Sequence, residues 1–63
     1  MSQFTKNNIN YCHKMAVAYY EVGDYSMGEY YTIARNSYID QALDEGQINK
    51  SQAAALRRFG RLS

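Results

Sequence analysis

Val22-Gly23-Asp24-Tyr25-Ser26-Met27-Gly28-Glu29 is the stretch that decides the fold. Gly23 follows an apolar-periodic segment, where a glycine in the left-handed conformation stops a helix. Ser26-Met27-Gly28-Glu29 then has the form of a capping box, in which the serine oxygen accepts a backbone N–H and the glutamate reaches back. Tyr25 and Tyr30 stand at the two positions of a hydrophobic staple. A stop followed at once by a start turns the chain back on itself. The expectation is an antiparallel helical hairpin.

Working outward, Gly46 and Gly60 repeat the punctuation. Asn49 and Gln52 form a second capping pair and open a short third helix. The spacing predicts helices over about residues 6–22, 27–45 and 50–59, with Thr5 capping the first. The fold class expected is all-α: one small domain over residues 1–63, a hairpin plus a short C-terminal helix. The first helix carries two adjacent apolar stripes, Ile9, Cys12, Ala16, Tyr19, Tyr20 and Tyr11, Met15, Ala18, Val22. Together they span an arc of roughly 200°, too wide for one helical neighbour. The first helix should therefore be central, or contribute to a homodimer. In the second helix the main stripe is Met27, Tyr30, Tyr31, Ala34, Tyr38 and Ala42, with Ile39 and Leu43 beside it. Gly28, inside the first turn, is explained if the first helix passes close by near Ala16 or Tyr20. Leu56 and Phe59 should pin the third helix to Ile39 and Leu43.

Composition narrows the function classes. The chain has 63 residues, too few to bury a large core. One cysteine excludes an internal disulfide, and one cysteine with one histidine cannot supply the four ligands of a structural zinc site. Cys12 and His13 are adjacent, but helix neighbours point about 100° apart and do not face each other. Cys12 reads as a small buried residue and His13 as a solvated one. Asp40 and Asp44 form an i, i+4 acid pair with Glu45 beside it, read as a solvated face or a partner for the arginines. No catalytic, metal or cofactor constellation is expected, and the chain is read as a non-enzyme. Residues 1–8 lack the apolar core of a signal peptide, and Met15–Tyr20, the longest apolar run, is far below the roughly 20 residues that span a bilayer. A cytoplasmic location with no membrane partner is the expectation.

Seven tyrosines all lie between Tyr11 and Tyr38. Tyrosine combines a large apolar ring with a polar tip, which suits a protein interface. Tyr19, Tyr31 and Tyr38 fit the core stripes, while Tyr11, Tyr20 and Tyr30 fall at stripe edges. Tyr11, Met15, Tyr20, Val22 and Tyr30 are thus the candidate partner-binding residues. The alternative rests on charge: Arg57, Arg58 and Arg61 form a basic cluster after an acidic middle segment. A short helix carrying those arginines after a glycine turn allows a helix-turn-helix-like contact with nucleic acid.

Two resemblances bear on this reading. Ala16, Tyr19, Gly23, Asp24, Tyr25 and Gly28 resemble one tetratricopeptide-type helical hairpin, although Arg35 stands where that family has a small residue and its closing proline is absent. The resemblance implies hairpin geometry only. Over its full length the chain resembles the small early proteins of lambdoid bacteriophages encoded between the exonuclease and excisionase genes. The stretches that carry this are Asn7-Asn8-Ile9-Asn10, Met15-Ala16-Val17-Ala18-Tyr19-Tyr20 and Gln52-Ala53-Ala54-Ala55-Leu56-Arg57-Arg58. That resemblance implies a protein in the host cytoplasm, made early in infection. It also implies a role in the choice between lysis and lysogeny or in the host cell cycle, through a protein of the bacterial host or the phage. It carries over no site residue.

Overall fold

The computed structural model describes residues 1–60. Three helices follow in order: α1 (Gln3–Glu21), α2 (Tyr25–Asp44) and α3 (Lys50–Phe59). α1 and α2 pack along each other as an antiparallel hairpin, and α3 folds back against α2.

The helix stops are two copies of one motif. Gly23 has φ 81°, its N–H donates to Tyr20 O, and Asp24 N–H donates to Tyr19 O. Gly46 has φ 72°, with the equivalent bonds from Gly46 to Leu43 and from Gln47 to Ala42. This pairing satisfies carbonyls that the helix end leaves open, and its positive φ suits glycine alone among ordinary residues.

The helix starts differ from the sequence expectation. α1 is capped by Ser2, whose Oγ accepts from Thr5 N–H at 3.1 Å. Thr5 lies inside the first turn, because a serine three residues upstream is an equally good cap and gains a further turn of helix. α2 is capped by Asp24, whose carboxylate accepts from Met27 N–H at 3.1 Å. The expected Ser26–Glu29 box is not the cap. The turn delivers Asp24 directly to the helix start, where its negative charge also complements the helix dipole. Tyr25 consequently has no staple role; it is 68% exposed and lies against Tyr20. Asn49 and Gln52 do form the capping box of α3, at 2.8 and 2.9 Å.

These caps give an ordered prediction. Gly23→Val should cost more than about 1 kcal/mol, through left-handed strain on a β-branched residue. Asp24→Ala should cost about 0.5–2 kcal/mol. Ser26→Ala should stay within about 0.5 kcal/mol. Thermal melts check the order, and Ser26→Ala costing as much as Asp24→Ala would contradict the cap assignment.

The core is Ile9, Ile39, Ala42, Ile48, Ala53 and Leu56, flanked by half-buried Tyr38 and Leu43. It sits where α3 closes over the open end of the hairpin. Three expectations change here. Phe59 is 55% exposed, and Ile48, in the loop before α3, fills the anchoring position instead. α2, not α1, is the helix whose backbone runs close to both others. The inward face of α2 is also rotated: Gly28, Arg35, Ile39 and Ala42 are buried, while Tyr30 is 62% exposed. Gly28 is the expected close approach, since a Cβ there would lie 2.8 Å from the Tyr20 ring.

Candidate functional site

With α3 on one side, the hairpin has two unlike faces. The α3 side carries His13 and Asp40, which meet Gly60 and Arg57 of α3. The opposite face is uncovered. At about 100° per residue, α1 presents Phe4, Tyr11, Met15 and Val22 to it, next to half-buried Tyr19. The same spacing on α2 presents Met27, Tyr30, Ala34 and Tyr38, next to Tyr31. Within the two helices no charged residue falls on this face, and by the same spacing Glu45, which caps α2, stands at its far end. Lys6, Glu29 and Asp40 lie toward the α3 side, and Lys14, Glu21 and Asp44 point away from the hairpin.

Tyr31 is the hub of the face. Its ring stacks on Tyr19 at 5.7 Å and receives Tyr11 and Tyr30 edge-on at 6.1 and 5.2 Å. Such pairs are each worth about 0.5–1.5 kcal/mol beyond area burial. The result is a stiff aromatic surface whose outer members still meet solvent: Tyr11 is 54% exposed, Tyr30 62% and Val22 77%. The surrounding rings desolvate the Tyr31 phenol and raise its pKa, with Tyr11, Tyr19 and Tyr30 acting in the same sense. The Tyr31 phenol therefore stays neutral near neutral pH.

Four of the five expected partner-binding residues, Tyr11, Met15, Val22 and Tyr30, therefore share one surface. Tyr20 does not. Its ring covers Gly28 and lies 5.9 Å from Tyr25, on the opposite side. Phe4, 73% exposed, belongs to the face and was missed because α1 was expected to begin after it. The spacing Ser2-x-x-Thr5 was the signal for the earlier start.

The basic cluster is divided. Arg57 is engaged with Asp40 in an exposed ion pair, and the Arg58 guanidinium lies 5.9 Å from the centre of the Phe59 ring. Arg61 falls outside the described residues. Asp40 thus takes the arginine-partner role that its position suggested.

The Cys12–His13 pair also resolves. Cys12 is buried, and burial raises its thiol pKa although Arg35 partly opposes this. A thiol held neutral is a poor nucleophile. His13 is not solvated as expected. It is half-buried, and its Nδ1 lies 2.9 Å from Nη1 of Arg35. Arg35 is 8% exposed, and its other bonds run to Asn36 Oδ1 at 3.2 and 3.0 Å. No carboxylate pairs with it among the described residues. Burial is the largest influence lowering its pKa. Beside His13, an open groove of about 480 Å³ is lined by Asn10, His13, Lys14, Val17, Phe59 and Gly60.

Among the described residues, no three His, Cys, Asp or Glu side chains are grouped to hold a metal, and no helix is long and apolar enough to cross a membrane. Comparison with family models, curated proteins and solved structures finds no match to this chain.

Proposed function

We propose that this chain is a small, non-enzymatic phage regulatory protein that acts in the host cytoplasm by binding another protein. Its partner is a host or phage protein, and the binding influences phage development or the host cell cycle. The observation that carries the binding reading is the uncovered face centred on Tyr31, aromatic across both helices and without a charged residue within either of them. The lambdoid resemblance of the sequence supplies the biological setting.

The physical case is one of area and stiffness. A face about 30 Å long and two helices wide offers about 600 Å², so covering it removes about 1,200 Å² in total, within the range of specific interfaces. Tyrosine rings already packed on one another lose little freedom when a partner arrives. A nucleic-acid contact has less support. Arg57 is already paired with Asp40, and a thin basic cluster gives only weak, salt-sensitive binding.

The face also suits a second copy of the chain, since its helical part carries no charge to repel a like charge across a two-fold axis. A dimer should form at micromolar concentration. Sedimentation equilibrium should show it, and Met15→Glu or Val22→Glu should weaken it. A monomer of 7.3 kDa at high concentration would leave the face to a different protein.

Salt separates protein from nucleic-acid binding. A pull-down from a phage-susceptible bacterial lysate should retain a partner protein at high salt. Capture of nucleic acid that is lost as salt rises would instead favour the arginine cluster.

A further inference from the structure

We propose that the contact between His13 and Arg35 is an acid-sensitive latch that holds the C-terminal end of α3 on the hairpin. Arginine has only donors, so Nδ1 of His13 accepts its bond and carries no proton in this arrangement. Gly60 packs against Cγ, Cδ2 and Nδ1 of the same ring, so closely that no Cβ would fit between them. Gly60 caps α3, with φ 75° and its N–H bonded to Leu56 O at 2.9 Å. The ring of His13 is thus held between a buried cation on α2 and the last turn of α3.

The groups around it make protonation costly. On α1, Lys14 lines the same groove and Cys12 faces Arg35; on α2 stand Arg35 and Asn36; on α3, Arg57 faces Arg35. No carboxylate pairs with His13 or Arg35 among the described residues, and Asp40 is already engaged with Arg57. A proton on Nδ1 turns the acceptor into a donor facing a donor and sets two cations together. The ring must then turn or withdraw, and Gly60 packs against the atoms that would have to move. Release of the last turn of α3 relieves both conflicts.

The direction of the pH effect follows. Burial, and then Arg35, lower the pKa of His13 below the ordinary value of 6.5. The unfolded or released chain therefore takes the proton first. The contribution of the contact is complete above 6.5 and is lost as pH falls below it. His13 is the sole histidine, the side-chain type whose charge change falls in this range.

The test uses the full chain at about pH 7.5 and about pH 5.5, bracketing the histidine range. Tm of the wild type should fall by several degrees between the two. His13→Gln, which keeps an acceptor that does not titrate, should show no such fall. In the wild type, hydrogen exchange at the Gly60 amide should accelerate on acidification more than exchange at Ile39. The ring itself should titrate below 6.5 by NMR. An equal fall of Tm in His13→Gln, a flat wild-type Tm, or a ring titrating at or above 6.5 would overturn the latch. Should His13→Gln fail to fold, the ring titration and the Gly60 amide decide the matter in the wild type.

Discussion

Ile39→Ala is expected to leave little folded protein at room temperature. Ile39 and Ile9 are the largest side chains buried to below 2% exposure, and Ile39 itself is 0% exposed. It lies where the hairpin and α3 meet, against a core in which alanines supply much of the packing. Truncating such an isoleucine costs about 2–5 kcal/mol, the transfer term plus the cavity left behind. A chain of this length holds only about 3–9 kcal/mol of total stability at the usual value per residue. The loss is therefore comparable with the whole. Ile33→Ala is the control: it lies on the same helix, is 58% exposed, and should change stability by less than about 0.5 kcal/mol. Urea unfolding followed by far-ultraviolet circular dichroism checks both. Similar midpoints for the two variants would contradict the placement of the core.

The second large effect concerns activity without loss of fold. Tyr11→Ala combined with Tyr30→Ala should abolish the proposed effect on phage development while helicity is retained. Both rings lean edge-on against Tyr31 yet stay more than half exposed, so their removal strips contact area and leaves the core untouched. Central tyrosines of an interface commonly cost about 2 kcal/mol or more of binding when truncated, which is a loss of roughly 30-fold. Arg57→Ala with Arg58→Ala should do little, since exposed ion pairs contribute about 0–1 kcal/mol. Full activity in the tyrosine variant and loss in the arginine variant would transfer the function to α3.

Much of the architecture was legible because short-range chemistry dictates it. Gly23, Gly46 and Gly60 mark the three stops, and all three have positive φ. Asn49 and Gln52 mark the third start. The starts of α1 and α2 were misplaced because several good caps compete locally: Ser2 against Thr5, and Asp24 against Ser26. Which one wins depends on how the preceding turn delivers the chain. The face of α2 was harder. Six apolar residues at helical spacing drew the stripe toward Met27, Tyr30 and Ala34, whereas Arg35 occupies the centre of the buried side. Periodicity cannot foresee a buried arginine that is satisfied by His13 and Asn36 rather than by an acid. Tyr11 and Tyr20, nine residues apart, stand about 180° apart on α1, so their separation was legible from spacing. Which of the two faces stays uncovered needed the position of α3.

That division allows a direct test of the claim that the Tyr31-centred face is the working surface. A photoreactive phenylalanine analogue is placed at Tyr30 in one protein and at Tyr25 in another. The two positions are similarly exposed, at 62% and 68%, but lie on opposite sides of the hairpin. Both proteins are irradiated in a phage-susceptible bacterial lysate, and covalent adducts are resolved by mass. The account predicts a discrete protein adduct from position 30 that is absent from position 25. An adduct from position 25 alone, or none from position 30 where the wild-type protein retains its activity, would contradict it.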